Sequence, residues 1–296
     1  MPRILNFGSI NIDHVYKVEK VPSPGETIKS SDYFQSIGGK GFNQSIALAR
    51  AGAQVTHAGR YGRNEKWLSD RLISENVDVF PLHPVDQPTG HAIIQVEPSG
   101  RNTIIVHPGA NHALELSSLP GLFEGFSSSD WFLAQNETSY VAESLSTAHA
   151  LNMTICFNPG PMDDSVINYP LEVVDWLILN ESEGTKLTNE TTPELVLKEL
   201  RKRCPRAQII LTMGSAGACC LTLDEKRIYV SAKKVQVVDT TGAGDTFIGF
   251  LLASCLKGAP LISALELACE AAALSVTRLG AADSIPHLRE VQVQEA

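Results

Sequence analysis

Val237-Val238-Asp239-Thr240-Thr241-Gly242-Ala243-Gly244-Asp245-Thr246-Phe247 is the stretch that decides the fold of this chain. An apolar, strand-like run gives way to a glycine-rich turn, and the apolar stretch that continues to Leu256 reads as a buried helix. Gly242 and Gly244 let the backbone come close to a ligand. The first amides of the helix have no partner within it, and the helix dipole favours negative charge there. The turn is therefore an anion site. Asp245, in the first helical turn, has two readings: a carboxylate that offsets the dipole, or a group that acts on whatever the turn holds. The spacing is not the dinucleotide fingerprint, because Phe247 stands where the third glycine of GxGxxG belongs.

Upstream of this turn, short apolar runs alternate with segments of helix length. Trp131 to Gln135, Met153 to Asn158, Trp176 to Asn180 and Gln208 to Met213 read as strands, and Ile4 to Phe7 as a first buried strand. Tyr140 to Ala150, Glu181 to Leu187 and Pro193 to Cys204 read as helices, the last with Thr192 as N-cap. This rhythm predicts a parallel sheet flanked by helices, with ligands gathering beyond the carboxyl ends of the strands. Two stretches break it. Asn11 to Ile37 contains the turn Pro22-Ser23-Pro24-Gly25, and Gly90 to His107 holds two strand-like runs joined by Pro98-Ser99-Gly100-Arg101-Asn102, a hairpin signature. They predict a small β layer outside the main sheet, either a lid over a site or a packing extension.

Near that layer, Asn11 and Asp13 alternate with Ile10 and Ile12, which puts both polar side chains on one face of an extended strand. The pair suits a vicinal diol; an Asx turn after a strand would explain it equally. Gly38-Gly39-Lys40-Gly41-Phe42-Asn43-Gln44 leads into a predicted helix from Ser45 to Ala51. It is not a Walker A loop, since Phe34 replaces the leading glycine and Gly41 the hydroxyl residue that reaches magnesium. Glycines around a lysine, followed by amide side chains, suit a hydroxyl-rich or anionic ligand.

The 296 residues accommodate one large α/β domain, taken as 1–296. A hydrophobic fraction of 43% without a long apolar run excludes a helical membrane span, and a net charge of -9 argues against nucleic acid as a partner. Six scattered cysteines without CxxC spacing predict neither a disulfide framework nor a zinc site, and the N-terminus lacks the order of a signal peptide. A cytoplasmic protein is expected. His91, His107 and His112 form no zinc pattern and are assigned no chemistry.

Three blocks, Gly8-Ser9-Ile10-Asn11-Ile12-Asp13, Gly38 to Gln44 and Asp239 to Phe247, occur in an order and at distances that resemble the ribokinase-like carbohydrate kinase family. Pro24-Gly25-Glu26-Thr27, His107-Pro108-Gly109-Ala110-Asn111, Asn158-Pro159-Gly160-Pro161, Asn180-Glu181-Ser182-Glu183 and Thr212-Met213-Gly214-Ser215-Ala216-Gly217 extend the likeness over essentially the whole chain. The resemblance implies a three-layer α/β/α core with a mainly parallel sheet and a β-sheet lid formed by residues of about 11–37 and 90–107. It implies ATP-dependent phosphorylation of a primary hydroxyl, with D-ribose at its 5-hydroxyl as the leading substrate. Deoxyribose or pseudouridine are rivals, and a catalytically silent sugar-binding protein is a more distant one.

By the same resemblance, Asn11, Asp13, Gly39, Lys40, Asn43 and Glu137 would hold the sugar and Asp245 would take its proton. The amides of Gly242, Ala243 and Gly244 would form the anion hole. ATP would lie along Thr212, Met213, Gly214, Ser215, Ala216 and Gly217, with Asn180 and Glu183 near the phosphates and magnesium. Asp239, Thr241, Ser275, Arg278, Gly280 and Ser284 match positions that bind potassium. The family pattern also implies a homodimer formed through the lid. One departure stands out: Phe42 occupies a position usually held by a small residue, where its ring either narrows the sugar pocket or packs into the core.

Overall fold

The computed structural model describes residues 2–292. Its first half contains β1 (Ile4–Phe7), β2 (Asn11–Lys17), β3 (Asp32–Gly38), α1 (Lys40–Arg50), β4 (Val55–Gly62), α2 (Trp67–Ser74), β5 (Leu82–Val85), β6 (Gly90–Val96), β7 (Asn102–His107), β8 (Trp131–Gln135) and α3 (Val141–Ala150). The second half adds β9 (Thr154–Asn158), β10 (Trp176–Asn180), α4 (Glu181–Thr188), α5 (Pro193–Arg203), β11 (Gln208–Thr212), β12 (Ala218–Leu221), β13 (Arg227–Val230), α6 (Ala243–Leu256), α7 (Leu261–Ser275) and α8 (Leu288–Gln292).

Nine strands form one sheet in the order β13-β12-β11-β10-β9-β8-β1-β4-β5. Every pairing from β11 to β5 is parallel, and only β12 and β13 run antiparallel at one edge. Strands buried on both faces need apolar side chains on both, and β1, with Ile4, Leu5 and Phe7, meets that demand. Ile4 belongs to the core layer that α1, α6 and α7 cover, whereas Leu5 and Phe7 belong to the layer under α3 and α5. The architecture is the expected α/β/α sandwich. A second sheet, in the order β3-β2-β6-β7, is built from the two stretches that interrupt the sequence rhythm.

Several local expectations are corrected. The strand expected before the glycine turn is absent: residues 231–238 carry no regular structure, and Val237 is exposed. The first helix begins at Lys40, five residues before the predicted Ser45. Gly39, at φ 91°, turns the chain, and the Lys40 amide is capped by the carboxylate of Glu137 from far along the sequence. No local capping pattern could announce that start. Thr192 makes no side-chain capping bond; Pro193 starts α5 instead. Phe42 is fully buried among core residues, so its ring packs and does not narrow a pocket.

Candidate active site

Two helices carry the centre of the site. At Gly249 on α6 an added Cβ would lie 2.3 Å from the Cβ of Ala47 on α1, so the helices touch almost backbone to backbone. One turn toward their N-termini, this approach brings Asn43 and Gln44 against Asp245. Asn43 Nδ2 donates to Asp245 Oδ2 at 2.9 Å, and Gln44 Nε2 donates to Asp245 Oδ1 at 2.9 Å. Asp245 is 6% exposed, so each carboxylate oxygen is fixed by one neutral donor and retains a lone pair for a further partner. Asn43 Oδ1 is buried with no protein partner.

A second close crossing aligns α1. A Cβ on Gly41 would stand 2.4 Å from Gly8 Cα and the Ser9 amide nitrogen, so no side chain fits at Gly41. Around this crossing, Ser9 Oγ and the Lys40 amide both donate to Glu137 Oε2, the latter at 2.8 Å. Burial raises the Glu137 carboxyl above its ordinary range, and Lys40, the Ser9 hydroxyl and the Lys40 amide oppose that rise only in part. Burial also works to lower the Lys40 ammonium, but Asp245, Glu137 and Glu183 outweigh it and hold that pKa above normal. Lys40 is a retained cation among three carboxylates.

The second sheet supplies Asp13. Burial, with repulsion from Glu137 in second place, lifts its carboxyl to about 6. Gly38 faces it, and any side chain there would meet Asp13 Oδ2 at 2.1 Å. Asn11 is buried and its Oδ1 accepts from Asn111 Nδ2 at 2.8 Å, while Asn111 also bonds both backbone groups of Ile10. Sequence reasoning does not single out Asn111 as a site residue. Its signal was the polar end of the hairpin.

Beyond Asp245 lies a cavity of about 580 Å³. Lys40, Asn180, Glu183, Thr212, Gly214, Ser215, Gly217, Ala243, Gly244 and Asp245 line it, which unites the predicted sugar-side lysine, anion turn and nucleotide stretch. Met213 and Ala216 do not line it. Gly244 has open space where a Cβ would stand, and Gly242 caps α6 at φ 76°. One wall is apolar, formed by Val235, Val237, Ala272, Ala273 and Val276. Sequence reasoning missed these, since alanines and valines on a helix or loop look like ordinary packing residues.

Asn180 and Glu183 form a capping box at the start of α4. Asn180 Oδ1 accepts from the Glu183 amide at 2.9 Å, and Glu183 Oε2 accepts from the Asn180 amide at 3.0 Å. Among the described residues no group of three or more His, Cys, Asp or Glu could hold a metal. Magnesium here would take its oxygens mainly from phosphates and water, with Glu183 acting through a water.

The residues matched to potassium sites are brought together in part. Asp239 Oδ1 accepts from the Thr241 amide and hydroxyl at 2.9 and 2.7 Å, and Oδ2 accepts from the Gly280 amide at 2.9 Å. Burial pushes the Asp239 carboxyl up, but these hydrogen bonds win and hold it below its usual value. The backbone of Val276 accepts from the Val238 and Asp239 amides. Ser275 and Ser284 turn their hydroxyls to the carbonyls of Ala272 and Ala281, and Arg278 pairs with Glu290. An ionised carboxylate and neighbouring carbonyls are the hard oxygen donors that an alkali cation takes.

A cavity rimmed by a helix N-terminus, with a buried carboxylate and a lysine at its inner end, defines a small-molecule phosphotransferase on an α/β/α scaffold. The profile described as pfkB family carbohydrate kinase matches residues 1–288, and the chain belongs to that family. Ribokinase of Schizosaccharomyces pombe is 33% identical, over 98% of this chain and 97% of its own length. Ribokinase from Cryptococcus neoformans in complex with ADP superposes with a TM-score of 0.85 at 32% identity, over 99% of each chain. Arabidopsis thaliana ribokinase complexed with ribose and ATP gives a TM-score of 0.86 at 28% identity, over 99% of this chain and 98% of that one. This chain is an ATP-dependent carbohydrate kinase.

Proposed function

We propose that the chain phosphorylates D-ribose at its 5-hydroxyl, and that Asp245 takes the hydroxyl proton. The observation that carries this is the buried Asp245 carboxylate, held by Asn43 and Gln44 in the lining of the cavity beside the anion turn. Phosphoryl transfer through a loose transition state needs alignment and charge stabilisation more than a strong base. The fixed carboxylate orients the hydroxyl in line. Lys40 and the amides of Gly242, Ala243 and Gly244 face the charge that moves to the phosphate oxygens.

Asp13 and Asn11 hold sugar hydroxyls, with Glu137, Lys40, Gly39 and the unpartnered Asn43 Oδ1 completing the set. Thr212 to Gly217 carry the nucleotide, and the apolar wall takes its base. Magnesium travels with the phosphates. Potassium at Asp239 and Thr241, with the 275–284 segment, would fix the loop that presents the anion-hole amides. The second sheet acts as the lid and closes over the sugar, excluding water. Its outer strands expose Phe34, Ile104 and Val106 at 44%, 53% and 60%, an apolar surface suited to a second copy of the chain. Six unpaired cysteines fit a cytoplasmic setting.

The test is ADP release from Mg-ATP with ribose, deoxyribose, fructose, adenosine or pseudouridine, each with potassium or with only a bulky organic cation. Strong turnover with ribose that requires potassium is expected; selective turnover of another substrate overturns the ribose assignment. Asp245→Asn should lose turnover by roughly a thousandfold or more while sugar affinity stays nearly unchanged.

A further inference from the structure

Behind Asp245 runs a buried line of amide side chains along the face of the sheet that α1 covers. Gln44 engages both of its N–H groups and its oxygen. One N–H goes to Asp245 Oδ1 at 2.9 Å and the other to Asn158 Oδ1 at 3.3 Å, while its Oε1 accepts from Gln135 Nε2 at 2.7 Å. Gln135 Nε2 also donates to Asn6 Oδ1 at 2.9 Å. Asn6 Nδ2 in turn is anchored on the Gly41 carbonyl and on Ser45 Oγ, both at 2.8 Å. Gln44, Gln135 and Asn6 are all fully buried.

An amide has a donor end and an acceptor end of nearly equal shape, so its orientation is fixed only by its neighbours. Here each neighbour settles the next. The Gly41 carbonyl accepts only, so it fixes Nδ2 of Asn6 toward itself and leaves Asn6 Oδ1 to receive Gln135. Gln135 Nε2 then meets Gln44 Oε1, which leaves the Gln44 donor for Asp245. On the other side, Asn158 Nδ2 donates to the Ile178 carbonyl at 2.9 Å, so its Oδ1 is the end that faces Gln44. A reversed Gln44 would set its oxygen against the Asp245 carboxylate and its N–H groups against the Gln135 amide.

We infer that Gln44 is a positioning residue for the catalytic carboxylate, and that Gln135, which lines no part of the cavity, acts on turnover through Gln44. The inference rests on the assignment of Asp245 as proton acceptor. The line holds Asp245 in one rotamer with one lone pair toward the sugar, so its loss lowers kcat and leaves KM for sugar and ATP nearly unmoved.

Three variants test this, each measured after its thermal unfolding midpoint shows it folded at assay temperature. Gln44→Met should lower kcat by about 10- to 100-fold, the effect of a hydrogen bond to a charged group, with KM within about threefold. Gln135→Met should lower kcat less, and the double variant should be no slower than Gln44→Met alone, because both cut one line. Gln44→Glu keeps the shape but loses the donor; its kcat relative to the unaltered enzyme should recover as pH falls from about 8 to about 6, where a protonated carboxyl donates again. Additive losses, a rise in KM at constant kcat, or a Gln44→Glu defect that ignores pH would overturn the inference. If Asp245→Asn retains turnover while Gln44→Met does not, the proton-acceptor assignment fails and the Gln44 effect has another cause.

Discussion

Replacing Gly249 by alanine puts the α1 and α6 contact under direct test. The new Cβ would lie 2.3 Å from Ala47 Cβ and 2.8 Å from the Ala47 carbonyl carbon and the Leu48 amide nitrogen. Carbon atoms rest at roughly 3.5–4.0 Å, so the helices must part by about 1.2 Å or more. One turn away, the bonds from Asn43 and Gln44 to Asp245 are 2.9 Å each. Stretched by about 1 Å they leave the range in which an N–H···O bond holds, and Asp245 is no longer aimed. A displacement of that size at a reacting group costs on the order of a hundredfold in turnover.

Stability should change much less. Overpacking costs about 1–3 kcal/mol, and alanine regains roughly 1 kcal/mol of helix propensity over glycine. Steady-state kinetics and a thermal melt on the same preparation separate the two effects. The expected result is a large fall in kcat with a drop of a few degrees in Tm, reversed when Ala47→Gly is added to restore the gap. A folded Gly249→Ala enzyme that keeps kcat within about twofold would refute the claim that this contact sets the site geometry.

Further predictions concern the other parts of the site. Asp13, raised to about 6, accepts from sugar hydroxyls most strongly when ionised, so KM for the sugar should rise, by up to roughly tenfold, as pH falls from about 8 to about 5; an Asp13→Asn enzyme should lose that dependence. The sign for the unliganded fold is the reverse. A carboxyl that binds its proton more tightly when folded stabilises the protein at low pH and loses that contribution as pH rises through about 6, which thermal melts across pH will register. Gly38→Ala should raise the sugar KM at little cost to ATP binding, since its methyl would occupy the space of the Asp13 carboxylate. Arg50, at the end of α1, bonds Glu75 and the carbonyls of Ala282 and Ile285. Its replacement by methionine leaves Glu75 without its main partner and should cost about 2–4 kcal/mol in denaturant unfolding.

The main-sheet strands Trp131–Gln135 and Trp176–Asn180 matched the sequence reading to the residue, because a strand buried on both faces is a continuous apolar run with polar punctuation at its ends. Strands Leu82–Val85, Ala218–Leu221 and Arg227–Val230, four residues each, escaped it, as did Val55–Gly62, whose apolar residues are interleaved with two glycines, a histidine and an arginine. In the site, the glycine turn stands out in a local motif, whereas a role for Asp245 is read only from the joint order of the three separated blocks. The start of α1 was not, since its cap is a carboxylate 97 residues away in sequence. The partnership of Gln44 with Gln135 lay equally out of reach, the two being 91 residues apart. The role of Phe42 turned on which way a ring faces along a helix that began earlier than its pattern suggested, and only the fold decides that.

Asp245 lies 202 residues after Asn43 and 201 after Gln44. During synthesis on the ribosome, the proposed sugar-side segments and most of the parallel sheet emerge long before the carboxylate proposed to act on the sugar. Until α6 and α7 arrive, the part of α1 that packs on α6 has no cover and the cavity lacks one wall. Phosphoryl transfer is therefore the last property this chain acquires as it is made. A truncated product ending before α6 would carry sugar-side residues but no means of turning over ATP.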